Sequence, residues 1–269
     1  MILLLAVSAG SVVLTGCGSS DAASKKSKSK KKSRKSDSED DGDEEADSAD
    51  SKDEDNSEKE EGKSADKEKA AKETEAAAER IWTDLMKGNA SFVKGGHSTG
   101  NLVSARAELT KGQKPEVIVL GCADSRVPPE LIFNKNLGEL FVIRAAGNIA
   151  DPISLGSIEY AVEHLHSKVL VILGHENCGA VGATVANEEM PTKNLEAIVK
   201  KIAPALEDSE SCPLGGKMNM SCVELNVRQS AKDVAMESPI VKKAVKDGEL
   251  VIIEAVYQLG TGKVERLKE

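Results

Sequence analysis

Two short apolar runs, each leading into residues that bind soft metals, constrain this chain more than any other feature. Val117-Ile118-Val119-Leu120 leads into Gly121-Cys122-Ala123-Asp124-Ser125-Arg126. Val169-Leu170-Val171-Ile172-Leu173 leads, past Gly174, into His175-Glu176-Asn177-Cys178. Four or five consecutive apolar residues without polar alternation read as strands buried on both faces, the pattern of a parallel sheet covered by helices. Both metal-binding segments then fall just beyond strand C-terminal ends, where open α/β sheets hold their ligands.

The surrounding pattern agrees. Helix is predicted over about 72–93, near 105–110, in a short piece after Pro128-Pro129, and over 153–166, with further helices starting near Gly179, Asn194 and Val223. Strands are predicted at Leu140–Arg144 and Leu250–Tyr257 in addition to the two apolar runs. Strands separated by helices define an α/β fold with a mostly parallel central sheet flanked by helices. The roughly 200 residues from Lys69 onward suffice for one such domain.

Cys122, His175 and Cys178 offer two thiolates and an imidazole, with Cys122 and His175 53 positions apart. Zinc accepts that set. Four protein ligands make a closed structural site, whereas three leave a position for water, so the count favours catalysis. A structural site would need a fourth thiolate from Cys212 or Cys222. Asp124 and Arg126 lie two apart in a tight segment after a strand, so both side chains can turn towards the metal. The carboxylate either accepts a hydrogen bond from bound water or closes the site as a fourth ligand, and bidentate pairing with Arg126 favours the former.

With these residues the chain resembles the β-class carbonic anhydrases, which carry a Cys-x-Asp-x-Arg segment and a later His-x-x-Cys segment. The resemblance runs from about Ala78 to Leu267 and takes in Ile81-Trp82, Gly88-Asn89, Gln113-Lys114-Pro115, Gly138 to Arg144, Gly147-Asn148, Ser157 to Ala161 and Tyr257 to Val264. It implies reversible hydration of carbon dioxide to bicarbonate and a proton. One zinc per subunit would sit on Cys122, His175 and Cys178, with Asp124 and Arg126 as the catalytic dyad and Asp124 on the metal only in a closed form. It further implies a small substrate pocket of Gln113, Phe141, Ala146, Tyr160 and Gly179, partly supplied by a neighbouring subunit, hence a homodimer or higher oligomer. Ala146 is smaller than the apolar residue many relatives carry there. The N-terminal helix is expected to be an arm lying on a second subunit. Two rival readings share the metal set: a zinc hydrolase acting on carbon disulfide or carbonyl sulfide, and a noncatalytic zinc protein.

Ahead of the domain, Ile2 to Leu14 form an apolar run of about 13 residues. That is too short to span a bilayer, which takes about 20 residues in a helix. The run ends in Leu14-Thr15-Gly16-Cys17, which resembles a bacterial lipoprotein signal, so residues 1–17 are assigned as signal peptide with Cys17 lipidated. Residues 18–68 are almost entirely Ser, Lys, Asp and Glu and are expected to be a disordered linker, able to separate a domain from a membrane by roughly 40 Å. Lys25–Lys35 is strongly basic, and an acyl chain beside a polybasic segment is a coherent anchor to anionic lipid. These features place the enzyme at the extracytoplasmic face of a bacterial cell membrane. The lysines lack interleaved aromatics and precede a larger acidic block, which argues against nucleic acid. From Lys69 onward, 24 Lys and Arg face 27 Asp and Glu, so the domain carries only −3 of the chain's −9 and shows no preference for a polyanionic partner. Cys212 and Cys222 remain, either a disulfide across Pro213-Leu214-Gly215-Gly216 or two ordinary thiols.

Overall fold

The computed structural model describes residues 57–97, 100–207 and 209–268, with side chains described from residue 67 onward. The signal segment, Cys17, Lys25–Lys35 and most of the expected linker lie outside the described residues.

Five strands form one sheet: β1 (Val117–Gly121), β2 (Leu140–Arg144), β3 (Val169–His175), β4 (Val251–Tyr257) and β5 (Val264–Arg266). Their order is β2-β1-β3-β4-β5. The first three pairings are parallel, and β5 runs antiparallel to β4 through Tyr257↔Val264. The chain leaves β1 for β2 on one side and returns to β3 on the other, so the order reverses between β1 and β3. A reversal of this kind opens a crevice at the strand C-terminal ends.

Eight helices accompany the sheet among the described residues: α1 (Ser57–Val93), α2 (Leu102–Leu109), α3 (Pro129–Ile132), α4 (Pro152–Glu163), α5 (Gly179–Ala186), α6 (Lys193–Ile202), α7 (Met220–Glu237) and α8 (Pro239–Lys246). Strand side chains alternate between two faces. Val117, Val119, Val169, Val171 and Leu173 meet Ala78, Ile81, Trp82 and Leu85 of α1 and Val181 and Val185 of α5. Ile118, Leu120, Leu170 and Ile172 meet Leu155, Ile158 and Ala161 of α4, Val223, Val227 and Val234 of α7, and Val241 and Ala244 of α8. Every residue of β1 and β3 is buried, as their unbroken apolar runs require.

Local chemistry sets the helix starts. Asp151 caps α4 by accepting from the Ser154 amide at 2.7 Å, with Pro152 at the first helical position. Ser238 does the same for α8 through Val241, with Pro239 next. Proline is tolerated there because the first amides of a helix have no intrahelical acceptor.

Three expectations need correction. α1 begins at Ser57 and not near 72, so it takes in the last residues assigned to the linker. Where side chains are described, Lys72 pairs with Glu68 one turn earlier and Lys67 reaches Asp247, interactions that composition alone does not weigh. α8 and β5 were not anticipated. The helix near 153–166 ends at Glu163, because His166 adopts a left-handed φ of 56°.

Candidate metal centre

Cys122 is the first residue after β1, and His175 is the last residue of β3. The turn after His175 is tight: the Glu176 amide donates to the Tyr257 carbonyl at 2.9 Å, and Asn177 takes a left-handed φ of 53°. Asparagine tolerates that region better than most residues. The turn delivers Cys178 to the N-cap of α5. Strand end, strand end and helix start thus converge in the β1/β3 crevice.

All three residues are buried, and their ligand atoms lie within 4.8 Å of one another. The Cys122 and Cys178 sulfurs are 3.9 Å apart. Tetrahedral zinc with zinc–sulfur bonds near 2.3 Å separates two sulfurs by about 3.8 Å, so the spacing fits the ion. His175 Nδ1 lies 2.9 Å from the Glu176 carbonyl, which fixes the ring, while Nε2 is buried without a hydrogen-bond partner. An orphaned buried nitrogen beside two sulfurs is what a metal ligand looks like before the metal is counted.

The electrostatics agree. Contact with the Cys178 thiol, aided by His175 and by the Asp124 and Gly147 amides, draws the Cys122 pKa well below the usual thiol value against the opposing effect of burial. Those amides approach its Sγ at 3.4 Å each. The hydrogen bond with Cys122, then burial, push the Cys178 thiol up, opposed by the Val181 and Ala180 amides at the start of α5. Burial works against charging His175, yet the adjacent Cys122 sulfur and Glu176 carbonyl carry its pKa above the usual imidazole value.

Asp124 and Arg126 form the bidentate pair expected of them. Arg126 Nε donates to Oδ1 at 2.9 Å and Nη2 to Oδ2 at 2.7 Å, while the Arg126 amide also donates to Oδ1 at 2.9 Å. This guanidinium holds the Asp124 carboxyl well below the usual carboxylate range. Asp124 does not belong to the metal-ligand cluster. Cys212 and Cys222 are joined to each other, with Cα atoms 5.2 Å apart, so neither serves as the fourth thiolate of a structural site.

Of the residues assigned to a substrate pocket, Ala146 and Gly179 adjoin the cluster through Gly147 and Cys178, whereas three lie elsewhere in the single chain. Gln113 precedes β1, at the opposite end of the strands, in a surface depression with Leu109 and Leu137. Phe141 packs against Tyr160 with the rings tilted and their centroids 6.2 Å apart, on the sheet face opposite the core that contains Cys122 and Cys178.

Sequence reasoning gave no separate role to Arg144, Gly147 or Asn226. Arg144 Nε donates to the Cys122 carbonyl at 2.8 Å and Nη2 to that of Asp124, which holds the loop carrying both residues. A signal for Asn226 existed: it is polar on the buried face of α7, between Val223 and Val227.

A parallel sheet with two thiolates and an imidazole at its switch point defines a zinc enzyme. A profile of the carbonic anhydrase family matches residues 117–264. The carbonic anhydrase of Mycolicibacterium smegmatis is 37% identical over 193 residues, covering 68% of this chain and 90% of that protein. The crystal structure of the β-carbonic anhydrase CafA of Aspergillus fumigatus superposes with a TM-score of 0.56 at 28% identity, over 62% of this chain and 81% of that one. One of two tetrameric β-carbonic anhydrases of Sordaria macrospora superposes at 0.52 with 26% identity, over 61% and 86%. The chain belongs to the carbonic anhydrase family and, within it, to the β class.

Proposed function

We propose that Asp124 and Arg126 orient the attacking oxygen during reversible hydration of carbon dioxide, and that a second copy of the chain completes the substrate pocket. When bound by Cys122, His175 and Cys178, zinc supplies a Lewis acid that makes hydroxide available near neutral pH. The chain's own part is orientation. With its pKa held down, Asp124 remains a carboxylate at physiological pH, so it accepts a hydrogen bond and does not deliver a proton. Both of its oxygens are engaged by Arg126, so the carboxylate is held as a hydrogen-bond acceptor and would not serve as a ligand when Cys122, His175 and Cys178 hold zinc. The observation that carries this reading is the bidentate pair set beside a three-ligand cluster. Stopped-flow hydration by the full, zinc-loaded chain tests it: turnover well above the uncatalysed rate is expected, and its absence from folded, zinc-loaded protein overturns the reading.

The pocket across subunits is supported by an open face of α4. Ile153, Gly156 and Tyr160 fall on one side of that helix; Ile153 is 81% and Tyr160 47% exposed, and nothing approaches Gly156. A second copy on this face would carry Phe141 and Tyr160 towards its neighbour's metal, giving carbon dioxide a small apolar slot. The tetrameric relatives support assembly of this kind. Sedimentation equilibrium is expected to show at least a dimer, and Tyr160→Arg is expected to dissociate it; a wild-type monomer at micromolar concentration would exclude the shared pocket.

Export and anchoring through Cys17 belong to the same proposal. The Cys212–Cys222 disulfide supports it, since such bonds persist in oxidising compartments. No helix among the described residues is long and apolar enough to cross a membrane. Cys17→Ser is expected to move the protein from the membrane to the soluble fraction, and unchanged fractionation would rule out the lipid anchor.

A further inference from the structure

The Cys122 sulfur is held from a helix remote in sequence. Gly147 lies in a short 3-10 turn, Ala146–Asn148, just beyond β2, with a left-handed φ of 69°. Its amide donates to Cys122 Sγ. The Gly147 N–H belongs to the Ala146–Gly147 peptide and the Gly147 carbonyl to the next one, so the carbonyl's anchor restrains the N–H through the backbone torsions of the turn, and that anchor is Asn226. The Asn226 side-chain amide, on α7, donates to the Gly147 carbonyl at 2.8 Å and lies 3.4 Å from Asn148 Oδ1. Asn226 is 1% exposed.

Two further contacts keep this arrangement from relaxing. α7 lies so close to β3 that a Cβ on Gly174 would sit 2.4 Å from Val227 and 3.0 Å from Val223. The turn is pressed from the other side, where a Cβ on Gly147 would meet Ile202 at 2.7 Å. Asn226 therefore emerges from a helix packed closely on β3 and bonds a turn packed closely against Ile202.

We infer that Asn226 is a positioning residue for the metal centre: by anchoring the Gly147 carbonyl it restrains the turn whose Gly147 N–H bonds the Cys122 sulfur, and so sets how tightly that sulfur holds zinc. The inference rests on zinc being bound by Cys122, His175 and Cys178 and adds to that site a control reaching it from α7. Hydrogen bonds to ligand atoms orient them and tune their donor strength, and their loss typically weakens metal affinity by about 10–100-fold.

The test compares full-length wild type, Asn226→Leu, Asn226→Gln and Ser230→Ala by chelator competition for zinc and by the thiolate-to-metal absorption of the cobalt-substituted proteins. Ser230 lies one turn along α7 and accepts from Asn148 Nδ2 at 3.3 Å, so its loss removes a buried hydrogen bond without touching Gly147. Asn226→Leu is expected to bind zinc about 10–100-fold more weakly and to shift the charge-transfer band. Asn226→Gln, which keeps an amide, is expected to lose less, and Ser230→Ala to stay near wild type. Folded Asn226→Leu with wild-type affinity and an unshifted band overturns the inference, as does Ser230→Ala weakening binding equally. Should Asn226→Leu fail to fold, cadmium-113-loaded wild type lacking coupling between the metal and the Gly147 amide proton overturns it. Wild type that takes up no zinc would sink the metal assignment itself, a result separable from all of these.

Discussion

At the residue scale the three ligands and the Asp124–Arg126 pair have different work under the proposed mechanism, and two substitutions separate them. Cys122→Ser removes a thiolate from a three-ligand set, so stoichiometric zinc and hydration are expected to vanish together, as elemental analysis and stopped-flow kinetics would show. Asp124→Asn keeps the three ligands but loses the carboxylate that Arg126 orients. Zinc content is then expected to persist while hydration falls by about 10²-fold or more; equal loss of metal would mean that Asp124 acts mainly as a ligand. Cys122, Asp124, Arg126, His175 and Cys178 were legible in the sequence because they fall in two short windows, each behind an apolar run. Arg144, Gly147 and Asn226 were not given roles. Their hydrogen bonds span 22, 25 and 79 positions, and a spacing argument reaches only as far as a strand and its turn.

At the element scale the helix packed on β3 and the loop feeding it govern rigidity. Gly174→Ala would drive a methyl into Val227, with β3 unable to retreat because it is central in the sheet. Overpacking of this kind costs about 1–3 kcal/mol, to be read as a lower denaturant midpoint with an unchanged slope. The Cys212–Cys222 bond closes a loop of separation 10 onto the first turn of α7. Replacing both cysteines with serine should lower stability by about 2–3 kcal/mol in the same assay, and dithiothreitol should reproduce that loss in the wild type but not in the variant. Sequence made this bond one of two open readings, because proximity of the two cysteines is a property of the folded loop. β1 and β3 were evident from their apolar runs. β5 was hidden because three residues, two of them charged, pair only with the end of β4, and α8 was hidden because it follows α7 with no loop between them.

On the scale of the whole molecule, the α1 arm is tied to the body by an apolar stripe and by a few charges. Asp84 of α1 pairs with Lys135, beyond α3, and this contact, reinforced by nearby Lys87 and Arg80, lowers the Asp84 pKa from its ordinary 3.8. The folded state therefore binds that proton less readily than the unfolded chain. The resulting stabilisation is present above the ordinary value and lost as pH falls through the lowered one. Since Asp84 is largely exposed, the gain is at most about 1 kcal/mol after screening. Asp84→Asn should flatten the acid limb of a stability–pH curve below about pH 4, and an unaltered limb would show that the pair contributes nothing. The stripe matters more: Ala78, Ile81, Trp82 and Leu85 lie against the sheet face that also carries Cys122 and Cys178. Trp82 is the one tryptophan in the chain, and only two tyrosines accompany it. Its emission is thus an intrinsic beacon for that helix alone: blue-shifted while the indole is sheltered, red-shifted once the arm peels away, with no other indole to blur the signal.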